Sequence, residues 1–186
     1  SQASPYHTKF IERRREGISC TGRWKQRANR KTREENSPTH TGMKIYTIGF
    51  TQKNAKKFFE LLKKNNIKQM IDIRLNNTSQ LAGFTKKDDL EFFLKELCGI
   101  NYHHFKFLAP TKEIRDKYNK GKDWNIYTKE YIELLENRKI LDELDKSLFE
   151  KRTCFLCTEA SADHCHRRLL AEYLKGHWKD VEVEHL

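Results

Sequence analysis

From Lys44 onward, short runs rich in β-branched and aromatic residues alternate with segments of helical period, and this alternation constrains the fold more than any other feature of the chain. Three runs are too short for helices and carry strand-forming residues: Lys44-Ile45-Tyr46-Thr47-Ile48-Gly49-Phe50, Gln69-Met70-Ile71-Asp72-Ile73-Arg74 and Thr153-Cys154-Phe155-Leu156-Cys157. The last is the most apolar stretch and is expected to be a central strand. A fourth extended run covers 102–108, and Val181-Glu182-Val183-Glu184-His185 reads as an edge strand. Between these runs, the segment 54–65 sets Ala55, Phe58, Phe59, Leu61 and Leu62 on one face and lysines on the other. Helices are also predicted from Thr85, as N-cap with Asp88 three residues on, to a stop near Gly99, and over 127–137, 140–149 and 165–175. The charged segment that follows Pro110-Thr111, as far as 122, receives no helix. The expected fold class is α/β: one compact domain over 43–186, a mostly parallel sheet with helices on both faces, preceded by a basic N-terminal segment of low order.

Charge is unevenly spread over the 186 residues. Residues 1–42 hold 10 Lys and Arg against 4 Glu, so +6 of the formal +11 lies there. That segment has no sustained period of 2 or 3.6 and is rich in Ser, Thr, Asn, Arg and Gly, a composition that buries no core. Its runs Arg13-Arg14-Arg15 and Arg23-Trp24-Lys25-Gln26-Arg27-Ala28-Asn29-Arg30-Lys31 are of the kind that contacts nucleic-acid phosphates; the alternative is a solvated tail with no specific partner. Apolar stretches reach only about five residues against the roughly 20 a membrane helix needs, so neither a membrane span nor a signal peptide is expected. Five cysteines among many charged residues suit a reducing cytoplasm rather than a secreted disulfide framework.

The unusual polar residues fall where strands end. In open α/β sheets ligands bind beyond the carboxyl ends of the strands, because helix N-termini and loops converge there. Gly49 and Thr51 follow the first strand, Asp72, Arg74 and Asn76 the second, and Cys157, Thr158 and Glu159 the strand before the last helix, which Cys165, His166 and Arg167 open. If these strands are parallel, all of these groups face one rim. Each has a plain structural alternative: Cys157 as a small buried hydrophobe, Asp72 and Arg74 as a mutual pair on one strand face, His166 as a packing residue. Zinc is weighed because Cys154-x-x-Cys157 together with Cys165-His166 gives an apparent C-x2-C…C-H set, and is not assigned: in a strand the Cys154 and Cys157 thiols point to opposite faces, and Phe155-Leu156 makes no turn. No Gly-rich phosphate loop is present, and no cofactor is assigned.

Tyr46-Thr47-Ile48-Gly49, Ile71-Asp72-Ile73-Arg74, Phe84, Gly99-Ile100-Asn101-Tyr102, Cys157-Thr158-Glu159 and Cys165-His166-Arg167 resemble, in order and spacing, the domain of unknown function 488 family. The resemblance covers about 43–186, and its specific part is the terminal Cys-x-Glu followed by Cys-His-Arg. It implies a small α/β domain with a polar pocket and no established activity. This chain departs from the family pattern at three places. Gly49-Phe50-Thr51 stands where many members have Gly-His-Ser, which excludes a catalytic histidine at position 50. Leu75-Asn76-Asn77 replaces a Pro-x-Ser turn, and Leu108-Ala109-Pro110 replaces Leu-Gly-Gly.

Two functional readings follow. In the first the chain is an enzyme acting on a nucleotide, nucleoside or nucleic-acid base. Asp72 and Glu159 form a carboxylate pair, or Cys157 is the nucleophile with His166 as acid/base, while Gly49, Thr51, Arg74, Cys165 and Arg167 hold a small anionic or nucleotide-like ligand. In the second it is a non-catalytic nucleic-acid-binding module using residues 1–42 and the Lys-rich helix faces. A third, structural reading makes the Cys–Glu–His–Arg set a buried polar network.

Overall fold

A computed structural model of the chain describes residues 42–78 and 83–186. The expectations placed on the basic N-terminal segment, low order and nucleic-acid contact, fall outside the described residues.

Among the described residues five strands form one sheet: β1 (Met43–Gly49), β2 (Gln69–Asp72), β3 (Asn101–His104), β4 (Thr153–Cys157) and β5 (Val181–His185). Every neighbouring pair is parallel, and the order is β3-β2-β4-β1-β5. The apolar run at 153–157 is therefore the central strand and the Val-Glu-Val-Glu run an edge, as their burial demands. Among the described residues six helices connect the strands: α1 (Ala55–Lys64), α2 (Lys87–Cys98), α3 (Lys112–Gly121), α4 (Trp124–Asn137), α5 (Ile140–Glu143) and α6 (His166–His177). The steps from β1 to β2 and from β2 to β3 move across the sheet in one direction, while those from β3 to β4 and from β4 to β5 move in the other. A uniform handedness for parallel crossovers then sends α1 and α2 to one face and α4 to α6 to the opposite one.

Alternation along each strand supplies two core layers. Ile45, Ile71 and Phe155 point into the layer with Tyr131, Leu135, Ile140, Phe149, Leu170 and Leu174. Tyr46, Ile48, Met70, Cys154 and Leu156 point into the other, with Phe58, Leu62, Leu90 and Leu94. Caps set the helix limits. Asn54 accepts from the Lys57 N–H at 2.8 Å to start α1, and Gly99, in the left-handed region at φ 62°, ends α2.

Four local expectations give way to tertiary structure. α2 begins at Lys87 rather than at a Thr85 cap. Thr85 lies in a 3-10 turn, Gly83–Thr85, whose carbonyl end is drawn toward the Arg74 guanidinium at 2.9 Å. The run at 102–108 is extended only to His104 and then turns through a 3-10 segment, Lys106–Leu108. The helix expected over 140–149 breaks at Leu144, because the Asp145 side chain accepts from the Ser147 N–H at 2.9 Å and opens a separate 3-10 turn. The charged segment after Pro110 is helical: Thr111 caps α3 by accepting from the Ile114 N–H, and none of its residues is buried. An apolar-periodicity test finds nothing in a helix of that kind.

Phe155 is fully buried in the middle strand, against Phe149 at 6.0 Å between ring centroids. Phe155→Ala is expected to lower the free energy of unfolding by about 3–5 kcal/mol, read from urea denaturation.

Candidate functional site

β4 lies between β1 and β2, so the chain leaves β1 toward one side of the sheet and β4 toward the other. That reversal opens a crevice at the carboxyl ends of the three strands. The loop between β4 and α6 closes directly over the end of β1. A Cβ on Gly49 would sit 1.6 Å from the Glu159 carbonyl oxygen, so only glycine admits the loop at this distance. The Thr51 N–H donates to the Thr158 carbonyl at 3.1 Å and anchors the same loop. Gly49 and Thr51 thus shape the site from beneath, and neither lines the cavity described below.

Asp72 and Arg74 pair with each other. Arg74 Nε donates to Asp72 Oδ1 at 2.8 Å and Nη2 to Oδ2 at 2.6 Å, a bidentate bridge, while the Arg74 backbone N–H adds a bond to Oδ1 at 3.0 Å. The Tyr102 hydroxyl donates to Oδ2 at 2.7 Å and accepts from Asn77 Nδ2 at 3.0 Å. Asp72 is 0% exposed and does not line the cavity, and both of its oxygens are committed to these donors. The carboxylate pair expected from Asp72 and Glu159 does not converge on the cavity. The Arg74 guanidinium lies over the Phe50 ring at 5.3 Å, so Phe50 packs against the ion pair. Burial lowers the tendency of Arg74 to hold its proton, but the Asp72 carboxylate outweighs it and raises the pKa.

Cys157, Cys165 and His166 meet at the end of β4. Cys157 Sγ is 3.6 Å from His166 Nδ1 and 3.8 Å from Nε2, and Nε2 is 3.1 Å from the Ile73 carbonyl oxygen. A carbonyl only accepts, so Nε2 carries the proton and Nδ1 faces the sulfur. The His166 ring is wedged edge-on against Tyr131 at 5.7 Å, the inner rung of a stack that runs through Tyr127 to Trp124 along one face of α4. The Cys165 thiol donating to Cys157 draws the Cys157 pKa well below the usual thiol range despite burial, and His166 adds to the effect. As the donor of that bond and a buried group, Cys165 is pushed up. Burial would lower the His166 pKa, but the adjacent Cys157 sulfur raises it. Arg167, 1% exposed, runs under the floor: its guanidinium donates to the carbonyls of Glu159 and Ala160 and to Cys165 Sγ at 3.4 Å.

Cys157, Cys165 and His166 form the floor of a cavity of about 570 Å³. Arg74, Leu75 and Asn76 border one side and Thr158, Glu159 and His164 another. The opposite wall comes from α3 and its cap: Arg115, Tyr118, Asn119 and Lys122 stand at i, i+3, i+4 and i+7, one helical face turned to the cavity. Tyr127, whose hydroxyl pKa burial raises, completes it. The α3 wall escaped the sequence reading, which found no helix there. Its signal was a helical period of polar and aromatic residues instead of apolar ones. Among the described residues, Cys157, Cys165 and His166 are also the group able to hold a metal ion, with their ligand atoms within 4.8 Å of one another.

The family model of a domain of unknown function, DUF488, matches residues 54–174, which include β2, β4, the 158–165 loop and most of α6. No curated protein and no solved structure matches the chain. Among the described residues no helix is long and apolar enough to cross a membrane.

Removing one member of the Asp72–Arg74 bridge strands a buried charge. Asp72→Asn is expected to cost about 3–5 kcal/mol of stability in chemical denaturation, whereas the apolar pair Asp72→Leu with Arg74→Met is expected to recover most of it. Equal losses in the single and paired variants would show that the bridge is not the determinant.

Proposed function

The chain belongs to the family of domain of unknown function DUF488, whose name carries no activity, and we propose that the cavity at its strand ends is the active centre of an enzyme acting on a nucleotide, nucleoside or nucleic-acid base. One observation carries this reading: Cys157 and His166 lie on the floor of a nucleotide-sized cavity whose rim holds Arg74, Arg115 and Lys122. A volume of about 570 Å³ falls within the range of small-molecule sites. Arg115 and Lys122 attract the anionic part of the ligand, and Arg115 suits a phosphate because its fork makes two parallel bonds. Tyr118, beside them on the same face, adds an aromatic surface to the wall, with Lys122 Nζ 5.5 Å from its ring centroid.

Cys157 and His166 then form the reactive floor, and Glu159 supplies an exposed carboxylate at its edge for proton transfer. Asp72 acts at one remove, by holding Arg74. Cys165 and Arg167 support the floor, and Gly49 and Thr51 hold the loop over β1. Cysteines 98, 154, 157 and 165 are all free thiols, a state that fits work in a reducing cytoplasm. The alternative of a nucleic-acid-binding module leans on residues 1–42 and the Lys-rich helix faces and has no comparable support from the cavity.

A thermal-shift series with nucleoside monophosphates, nucleosides and free bases tests the reading. Nucleotides are expected to raise the melting temperature of the wild type, and Arg115→Ala to weaken binding about tenfold, equivalent to about 1.4 kcal/mol. Glu159→Gln is expected to keep binding and lose turnover. A blank across all three ligand classes would sink the proposal.

A further inference from the structure

We propose that Cys157, Cys165 and His166 are the three protein ligands of a Zn²⁺ ion whose fourth coordination position opens into the cavity. The inference rests on the cavity being the functional centre and adds to it a cofactor, with Cys157 and His166 as its ligands in place of nucleophile and acid/base.

The donor set comes first. Two thiolates and an imidazole are ligands that zinc takes readily and that magnesium and calcium do not. The three ligand atoms lie within 4.8 Å of one another, and all three residues are buried. In a tetrahedral site with Zn–S of about 2.3 Å and Zn–N of about 2.0–2.1 Å, a sulfur and a nitrogen sit about 3.5–3.6 Å apart. Cys157 Sγ and His166 Nδ1 are 3.6 Å apart.

The surroundings of the ligands point the same way. A metal-binding histidine normally gives its other ring N–H to a fixed acceptor, which sets the tautomer and aims the lone pair. His166 does this through Nε2 and the Ile73 carbonyl at 3.1 Å, leaving Nδ1 directed at the sulfur of Cys157. Arg167 is an independent observation. The residue is 1% exposed, its Nε has no hydrogen-bond partner, and no ion pair among the described residues includes it. A buried cation needs a nearby anion. The side-chain atom it reaches is Cys165 Sγ at 3.4 Å, and a zinc-bound thiolate is negatively polarised and accepts such a bond.

The knuckle spacing that first raised zinc misleads, because Cys154 packs in the core layer on the other side of the sheet. Cys165 supplies the second thiol instead, brought back by the loop between β4 and α6. Cys157, Cys165 and His166 all line the cavity, so a ligand or water entering it completes the coordination. Three protein ligands and one open position distinguish a catalytic zinc from a closed structural one.

The experiment uses the full chain purified under reducing conditions without added metal. Elemental analysis is expected to find one zinc per chain, and exchange for Co²⁺ to give thiolate-to-metal charge-transfer absorption with the intense visible bands of a tetrahedral site. Cys165→Ser is expected to lose both signals, while Cys154→Ser, also a buried thiol, keeps them. Wild type with native circular dichroism, little zinc and only the weak visible absorption of hydrated cobalt overturns the inference, and needs no variant to fold. If nucleotide binding sensitive to Arg115→Ala persists in that protein, the cavity proposal stands and the metal alone is withdrawn.

Discussion

The position of β4 between β1 and β2 is the constraint on which the site depends. In an all-parallel sheet the strand at the switch point ends in a gap between helices that leave in opposite directions, and here that strand ends in Cys157. The register places Gly49 level with Cys157, so the loop leaving β4 crosses the end of β1 at backbone contact distance. A side chain at position 49 would lift that loop, and with it Glu159 and the start of α6. One missing Cβ therefore fixes the height at which Cys165 and His166 return to the sheet.

Two buried guanidiniums flank this centre and are stabilised differently. Arg74 is neutralised by a bidentate carboxylate that is itself held by Tyr102, and the result is a rigid corner after β2. Arg167 leans on two backbone carbonyls and a sulfur, an arrangement that supplies partial charges but no full anion. A carboxylate with all its acceptors filled has little left for chemistry, whereas a guanidinium facing thiols lies within reach of whatever charge the site acquires.

Much of the fold was legible along the chain because its signals are local. The apolar run at 153–157, the Val-Glu alternation at 181–185 and the two-faced pattern at 54–65 each report burial through spacing alone. α3 was not legible: it buries no side chain, and its one organised face, Arg115, Tyr118, Asn119 and Lys122, looks into a cavity. The break at Leu144 was hidden for a different reason, since Asp145 and Ser147 settle it through a side-chain bond that competes with an otherwise helical apolar pattern. Asp72 shares a place at the strand ends with Cys157, Glu159, His166 and Arg167, and position along the chain does not separate a carboxylate that faces the cavity from one turned beneath it.

Periodicity and residue type by themselves indicated an α/β fold with Cys157 at a strand end and Cys165 and His166 at a helix start, because a strand or helix must bury the face its spacing creates. Only the tertiary structure decided which groups meet. Cys154 and Cys157 are three residues apart and lie on opposite sides of the sheet, while Cys157 and Cys165 are eight apart and share one floor. The reason is the loop between them, whose path is set by non-local contacts: the Glu159 carbonyl against Gly49, Thr158 against Thr51 and Arg167 beneath.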